Sequence, residues 1–191
     1  MSETTKSPRG RPSPMMFVSI GIGTAIAIAL IVVVSLLTGG TVANNQFSNS
    51  ALIGQHVKSF SLSGLNGGTQ KSPWSTGHAS ALIFFASWCG PCQSEMPKVA
   101  AYLRAHGASP VVVLGIDAND KLGSAQSFVK KDGVRFPVAF DANSSVTSGV
   151  FSFLGIPETV FVNAKGVVTK VYFGAIPVKQ LTLGLKSLQS S

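Results

Sequence analysis

Apolar positions along this chain form one long run near the N-terminus and a series of short runs after residue 50. The long run covers residues 15–37, which are apolar or small and carry no charge. As a helix this run would be about 35 Å long, enough to cross a hydrocarbon core of ~30 Å. The pattern predicts a single transmembrane signal-anchor helix.

Charged residues beside the long run predict its orientation. Residues 1–14 contain Lys6, Arg9 and Arg11 but a single acid. An excess of positive charge marks the cytoplasmic side of a membrane helix. We therefore expect a cytoplasmic basic tail and an extracytoplasmic remainder, in the manner of a bacterial cell-membrane protein.

Cleavage after the apolar run is the alternative to an anchor. Residues 41–43 are small and suitably spaced for a signal peptidase, which would release a secreted form. The apolar run is longer than the about 7–15 residues usual for a signal peptide, which favours the anchor. Residues 38–50, rich in Gly, Asn and Ser, predict a flexible tether, and residues 51–191 predict one domain with its own core.

After residue 50, strand-like apolar runs, some alternating and some continuously apolar, alternate with segments of helical period. Strands are predicted over residues 58–62, 69–71, 81–86, 111–116, 137–140, 159–162 and 167–173. Helices are predicted over residues 91–105, from a cap at Asn119 or Asp120 to about Lys131, as a short turn over 144–151, and over 177–188. The order predicts an α/β domain whose mixed sheet is covered on both faces.

The distribution of charge argues against one class of partner, nucleic acids. The net charge is +8, and twelve basic and six acidic side chains remain after residue 37. The basic residues are dispersed, and only Lys130 and Lys131 are adjacent. No basic face interleaved with aromatic residues is visible, so we expect no nucleic-acid partner.

The two cysteines of the chain carry its chemistry. Cys89 and Cys92 follow the apolar strand 81–86 and stand where the next helix begins, separated by Gly90 and Pro91. A helix N-terminus favours a thiolate over a thiol, and a cysteine three residues on can close a disulfide. This arrangement predicts a redox-active disulfide and an active-site loop at Gly90 and Pro91.

A structural staple or half of a zinc site would also use two cysteines. So short a loop contributes only about 2 kcal/mol by chain entropy, which makes a staple a weak interpretation. Zinc needs two further ligands, and the three histidines are scattered singly, so no metal site is predicted.

Several motifs together resemble a known family. The segment 84–92, reading FFASWCGPC, resembles the active-site segment of thioredoxin-like proteins, and Pro97 matches the kink proline of their active-site helix. The segment 155–159, reading GIPET, resembles their cis-proline loop. A leading hairpin, about 65 residues between Cys92 and Pro157, and the C-x-x-E-x-P pattern are similar to the TlpA/ResA/DsbE group of membrane-anchored thiol–disulfide oxidoreductases.

The resemblance implies a fold and a set of roles. The fold would be a thioredoxin-like mixed sheet flanked by helices, with an N-terminal β-hairpin and a central helix–strand insertion, preceded by the transmembrane helix. Cys89 would be the attacking thiolate and Cys92 the resolving thiol. Pro157 would be cis beside the disulfide, and the backbone of Ile156 would bind an extended substrate segment. Trp88 would be an apolar platform beside the site, unless it simply packs in the core.

Two acids complete the candidate site. Plain thioredoxins carry a buried Asp at the position of Ile83, so an acid–base role must lie elsewhere. Glu95 stands one turn after Cys92 on the same helix face, and desolvation there would raise its pKa and let it exchange a proton with Cys92. The alternative is a solvated surface acid. Glu158, beside Pro157, is expected to serve partner recognition.

The resemblance implies a reductant of protein disulfides outside the membrane, for example in cytochrome c maturation, supplied with electrons by a membrane thiol carrier. No cofactor beyond the redox-active disulfide is expected. A disulfide-forming oxidase is the main alternative. A peroxiredoxin-type peroxidase is disfavoured because Ala86 stands where such enzymes carry Thr, and a copper-binding assembly module lacks a suitable ligand set.

Overall fold

The computed structural model describes residues 50–106, 109–153 and 155–189. The described residues form seven strands: β1 Ser61–Gly64, β2 Thr69–Lys71, β3 Ser80–Phe85, β4 Val112–Ala118, β5 Val138–Asp141, β6 Glu158–Val162 and β7 Val168–Phe173. They also form three α-helices, α1 Gly90–His106, α2 Leu122–Lys131 and α3 Val178–Gln189, and a short 3-10 helix, Pro73–Thr76. The predicted tail, anchor and all but the last residue of the tether lie outside the described residues. Within the described ranges, none of the helices is long and apolar enough to span a bilayer.

All seven strands join one mixed sheet in the order β2-β1-β5-β4-β3-β6-β7. β3, β4 and β5 are parallel, while the hairpins β1–β2 and β6–β7 attach antiparallel at the two sides. Parallel neighbours end at the same edge of a sheet, so the segments that follow β3 and β4 meet there. That edge carries the two cysteines.

The three helices lie on one face of the sheet. Their buried side chains share a core with Ile83 and Phe85, which alternate with the residues that face the other side. Right-handed crossovers from β3 to β4 and from β4 to β5 run in the same direction, so they place α1 and α2 on the same face. α3 approaches so closely that a Cβ at Gly184 would overlap the ring of Phe161.

The opposite face is covered without a regular helix. Phe84 contacts Phe151 and Phe153 edge to face, with ring centroids 5.1 Å and 4.7 Å apart. Trp74 of the 3-10 helix belongs to the same cluster. The predicted turn over 144–151 therefore packs on this face as a series of turns, and both faces are covered as expected.

Two local predictions were wrong in detail. β1 begins at Ser61, because the preceding segment is tied by Ser72, whose N–H donates to the carbonyl of Phe60. α2 is not capped by Asn119 or Asp120: its N-cap is Lys121, without a side-chain hydrogen bond. The carboxyl of Asp120 instead accepts hydrogen bonds from backbone N–H groups outside the helix.

Candidate active site

Cys89 occupies the N-cap position of α1. Its N–H donates to the carbonyl of Ala86, and its own carbonyl accepts the first bond of the helix from Gln93. The N–H of Cys92 points at the Cys89 sulfur over 3.2 Å. Sulfur thus stands where Ser or Asp usually accepts a capping hydrogen bond, so a thiolate here would be stabilised by the donor and the helix dipole.

The two cysteine sulfurs are joined in a disulfide of 1.95 Å. In this oxidised form Cys89 is 4% exposed and Cys92 1% exposed. The two cysteines therefore differ little in exposure while they are joined in the disulfide. Gly90 and Pro91 between them are exposed at the protein surface.

The Ile156–Pro157 peptide bond is cis, as the sequence predicted. The loop lies against the disulfide, and the Ile156 carbonyl oxygen is 3.8 Å from the Cys89 sulfur. Ile156 is half-buried and Gly155 is exposed, so the backbone ahead of the proline reaches the surface beside the sulfur. This is the geometry that strand addition by an extended segment requires.

Trp88 does not pack in the core. It is 59% exposed, and its indole N–H donates to the carbonyl of Asn119 over 2.9 Å. The same loop is held at Ser87, whose N–H donates to Asp120 over 2.6 Å and whose carbonyl accepts from the Gln93 side chain over 2.7 Å. Trp88 therefore forms an apolar surface directly beside the cysteines.

Glu95 is buried, which excludes the interpretation as a solvated acid. It is 4% exposed, and its Oε1 has no hydrogen-bond partner. Burial raises the pKa of Glu95 to about 7, against a smaller lowering by the backbone N–H of Ile176. Such a carboxyl changes its protonation near neutral pH, as proton exchange with Cys92 would require.

Glu158 is also buried, at 1% exposed, as the first residue of β6. Desolvation raises its pKa to about 8, and its Oε1 is without a hydrogen bond. The side chain does not reach the surface in this structure. Its expected part in partner recognition stays a prediction.

A third buried acid, Asp117, was missed by the sequence analysis. It lies in β4 opposite Phe85, is fully buried, and has no hydrogen bond at either carboxyl oxygen. Burial and then the neighbouring carboxyl of Asp120 raise the pKa of Asp117 to about 8. The signal was available, since Asp117 is the single charged residue in the apolar run 111–118.

Two cavities adjoin the cis-proline loop. One of about 620 Å³ is lined mainly by apolar groups, among them Leu52, Phe151 and Phe173, together with Glu158. The other, of about 340 Å³, lies on the Trp88 side of the loop. An extended segment crossing the loop would find space for side chains on both sides.

Residues 53–171 match the AhpC/TSA family. The chain belongs to this family. Two relatives are thiol–disulfide oxidoreductases named ResA. That of Halalkalibacterium halodurans is 26% identical over 148 residues, covering 76% of this chain and 84% of its own. That of Bacillus subtilis is also 26% identical over 148 residues, with 76% and 82% covered.

Solved structures agree with these relatives. MTB dsbF, in its mixed oxidized and reduced forms, superposes with a TM-score of 0.61 at 30% identity, covering 68% of this chain and 94% of its own. A secreted Mycobacterium tuberculosis disulfide oxidoreductase homologous to E. coli DsbE gives 0.59 at 27% identity, with 68% and 96% covered. The predicted thioredoxin-like fold and the resemblance to the ResA/DsbE group are confirmed.

The chain is a thiol–disulfide oxidoreductase whose paired cysteines are Cys89 and Cys92, and enzymes of this class act on protein thiols. The disulfide is the redox group. Within residues 50–106, 109–153 and 155–189, no cluster of three or more His, Cys, Asp or Glu side chains is arranged to hold a metal ion.

Proposed function

We propose that this oxidoreductase reduces disulfides of other proteins outside the membrane, anchored through residues 15–37, with cytochrome c maturation as its process. The main support for this chemistry is the environment of the Cys89 sulfur. It accepts a hydrogen bond from the N–H of Cys92 and lies 3.8 Å from the carbonyl oxygen of Ile156. The Gly90-Pro91 pair between the cysteines supports the reducing direction through its resemblance to thioredoxin. The uninterrupted apolar run 15–37 supports the anchor.

The reaction begins from the reduced dithiol. The Cys89 thiolate attacks one sulfur of the substrate disulfide, forms a mixed disulfide, and releases the other substrate sulfur as a thiolate. Cys92 then loses its proton and attacks the Cys89 sulfur, which breaks the mixed disulfide and releases the second substrate thiolate. Two electrons pass to the substrate, and the enzyme is left with its Cys89–Cys92 disulfide.

Groups around the sulfurs assist in distinct ways. The backbone at Ile156 aligns the substrate segment by strand addition, and Trp88 excludes water beside it. Glu95 takes the Cys92 proton, which its pKa of about 7 allows near neutral pH. A membrane thiol carrier then returns two electrons and reopens the disulfide.

The cysteine order is tested by trapping. In cells that produce the full-length chain, Cys92→Ser removes the resolving thiol, so partner proteins should remain disulfide-linked to Cys89. The matched Cys89→Ser variant should capture none, and equal capture by both variants would contradict the assigned roles. The captured proteins identify the substrates, and apocytochrome c among them is the expected result.

Activity assays on the full-length protein separate the other functions. We expect reduction of insulin disulfides when a thiol donor is supplied, without peroxide turnover or copper retention. Oxidation of reduced substrate proteins faster than reduction of oxidised ones would instead support a disulfide-forming oxidase.

A further inference from the structure

The loop that precedes Cys89 is held by a second loop 33 residues away. Ser87 donates its N–H to Asp120 over 2.6 Å, and Trp88 donates its indole N–H to the Asn119 carbonyl over 2.9 Å. Both loops leave the same sheet edge, because β3 and β4 are parallel and Phe85 is in register with Asp117. The cysteine loop is therefore fixed from the end of β4 as well as by α1.

Both carboxyl oxygens of Asp120 accept backbone hydrogen bonds, one of them from Ser87. Its second carboxyl oxygen accepts the N–H of Lys121 over 2.6 Å, and α2 begins without a side-chain cap. Asn119 adopts φ of 50°, a left-handed conformation that costs free energy for a residue other than glycine. The chain thus leaves one helix end uncapped and strains one residue, while both groups contact the Ser87–Trp88 loop.

Asp117, three residues before Asp120 in the chain, is fully buried. Neither of its oxygens accepts a backbone hydrogen bond, and Asp120 is the charged group that acts on it. Its raised pKa means that it is protonated at neutral pH. A protonated Asp117 therefore places no second negative charge beside the Asp120 carboxylate.

We propose that Asp120 is a positioning residue that holds Ser87, and with it the neighbouring Trp88, in the arrangement required for reaction at Cys89. This role rests on the proposed function, because it concerns docking of a protein substrate beside Trp88. Removing the contact would let the Trp88 loop move, and the productive arrangement would be populated less often.

The test compares Asp120→Ala and Asp120→Asn with a control, Asp132→Asn, in the full-length reduced protein. Asp132 follows the other end of α2, so the control removes the same charge away from the loop. Two substrates are compared. Insulin is a protein that must dock on the surface around Trp88, whereas glutathione disulfide is small and contacts little of that surface. A Trp74→Phe background leaves Trp88 as the sole tryptophan, so its emission can be followed by selective excitation.

We expect Asp120→Ala to lower kcat/KM for insulin by about 10-fold, the loss expected for one charge-assisted hydrogen bond. The rate with glutathione disulfide should change less than about 3-fold, and Trp88 emission should shift. Asp120→Asn keeps an oxygen that accepts from Ser87, so it should recover most of the insulin activity.

Unchanged insulin kinetics and unchanged Trp88 emission in Asp120→Ala would overturn the proposal, as would an equal loss in Asp132→Asn. If Asp120→Ala does not fold, Asp120→Gly, which also lacks an acceptor for Ser87, takes its place: loss of insulin activity with normal glutathione exchange supports positioning, and loss of both in equal measure contradicts it. Failure of the wild-type protein to exchange with either substrate would instead contradict the proposed function.

Discussion

Two regions of the molecule bury carboxyl groups in opposite ways. At the end of β5, Asp141 is fully buried and accepts hydrogen bonds from the side chains of Ser145 and Thr147 and from the N–H groups of Val146 and Thr147. Around the cysteines, Glu95, Asp117 and Glu158 are equally buried, yet each has an oxygen without a hydrogen bond. The first region gains stability from its acid, while the second carries acids at a cost in stability.

The difference indicates what each region is for. A buried polar group without a partner costs roughly 1–3 kcal/mol, so a fold has no reason to collect three of them around one disulfide. Their raised pKa values place proton exchange near neutral pH, where thiol chemistry operates. The satisfied acid organises a turn, and proton exchange with Cys92 stays the predicted role of Glu95 among the unsatisfied acids.

The largest effect is expected at the satisfied acid. Asp141→Ala would leave the buried N–H groups of Val146 and Thr147 without an acceptor, and the free energy of unfolding should fall by about 3 kcal/mol. Urea denaturation of the oxidised protein measures this loss. A decrease below about 1 kcal/mol would show that the two regions do not differ as described.

The pH dependence of the free energy of unfolding should reflect the buried carboxyl groups that lack hydrogen bonds. Folding raises the pKa of Glu95 from 4.5 to about 7 and that of Asp117 from 3.8 to about 8. Between these values the folded state keeps protons that the unfolded chain has released, so stability is fully present at low pH and is lost as pH rises. The slope should approach about 1.4 kcal/mol per pH unit for each retained proton.

Denaturation of the oxidised protein between pH 5 and 8, run in parallel on the Glu95→Gln variant, measures this slope. The variant should show a shallower decline with pH, because it has one fewer titrating group. A wild-type protein that grows more stable across this range would contradict the raised pKa values.

The third prediction concerns the rate of disulfide exchange and the proposed catalytic role of Glu95. Glu95→Gln should slow disulfide exchange at neutral pH by about 10-fold and remove the inflection near pH 7 from the rate profile, because the amide cannot accept the Cys92 proton. Ser94→Ala, an exposed neighbour, is the control. An unchanged pH profile in Glu95→Gln would rule out the assignment.

The smallest effect on stability is expected at Trp88. Trp88→Phe removes the hydrogen bond to Asn119 at an exposed position, and the free energy of unfolding should change by less than about 0.5 kcal/mol. Exchange with insulin should still slow several-fold. Loss of stability without loss of exchange would make Trp88 structural.

Much of the site could be predicted because its signals are local. The cysteine pair at a helix start, the cis-proline and the hairpin β6–β7 each depend on a few consecutive residues, and the structure has them where the sequence placed them. Helix spacing placed Glu95 on the same face as Cys92, and of the two alternatives left open, a desolvated or a solvated acid, the structure has the desolvated one. Because such patterns depend on neighbouring residues, contacts with distant parts of the chain change them little.

The contacts that were missed join distant parts of the chain. The hydrogen bond from Ser87 to Asp120 depends on the parallel register of β3 and β4, which the sequence does not reveal. Local propensity therefore assigned Asp120 to a helix cap. The burial of Glu158 likewise follows from pairing between β6 and its neighbours.

The central claim is that the Cys89 sulfur, capped by the N–H of Cys92, is a thiolate near neutral pH. Alkylation of the fully reduced protein from pH 5 to 9, with each cysteine followed by peptide mass spectrometry, tests it directly. We predict that Cys89 reacts at least about 10-fold faster than Cys92 and titrates below the usual thiol pKa of about 8.5. Equal and slow reaction of the two sulfurs, or faster reaction of Cys92, would contradict the account.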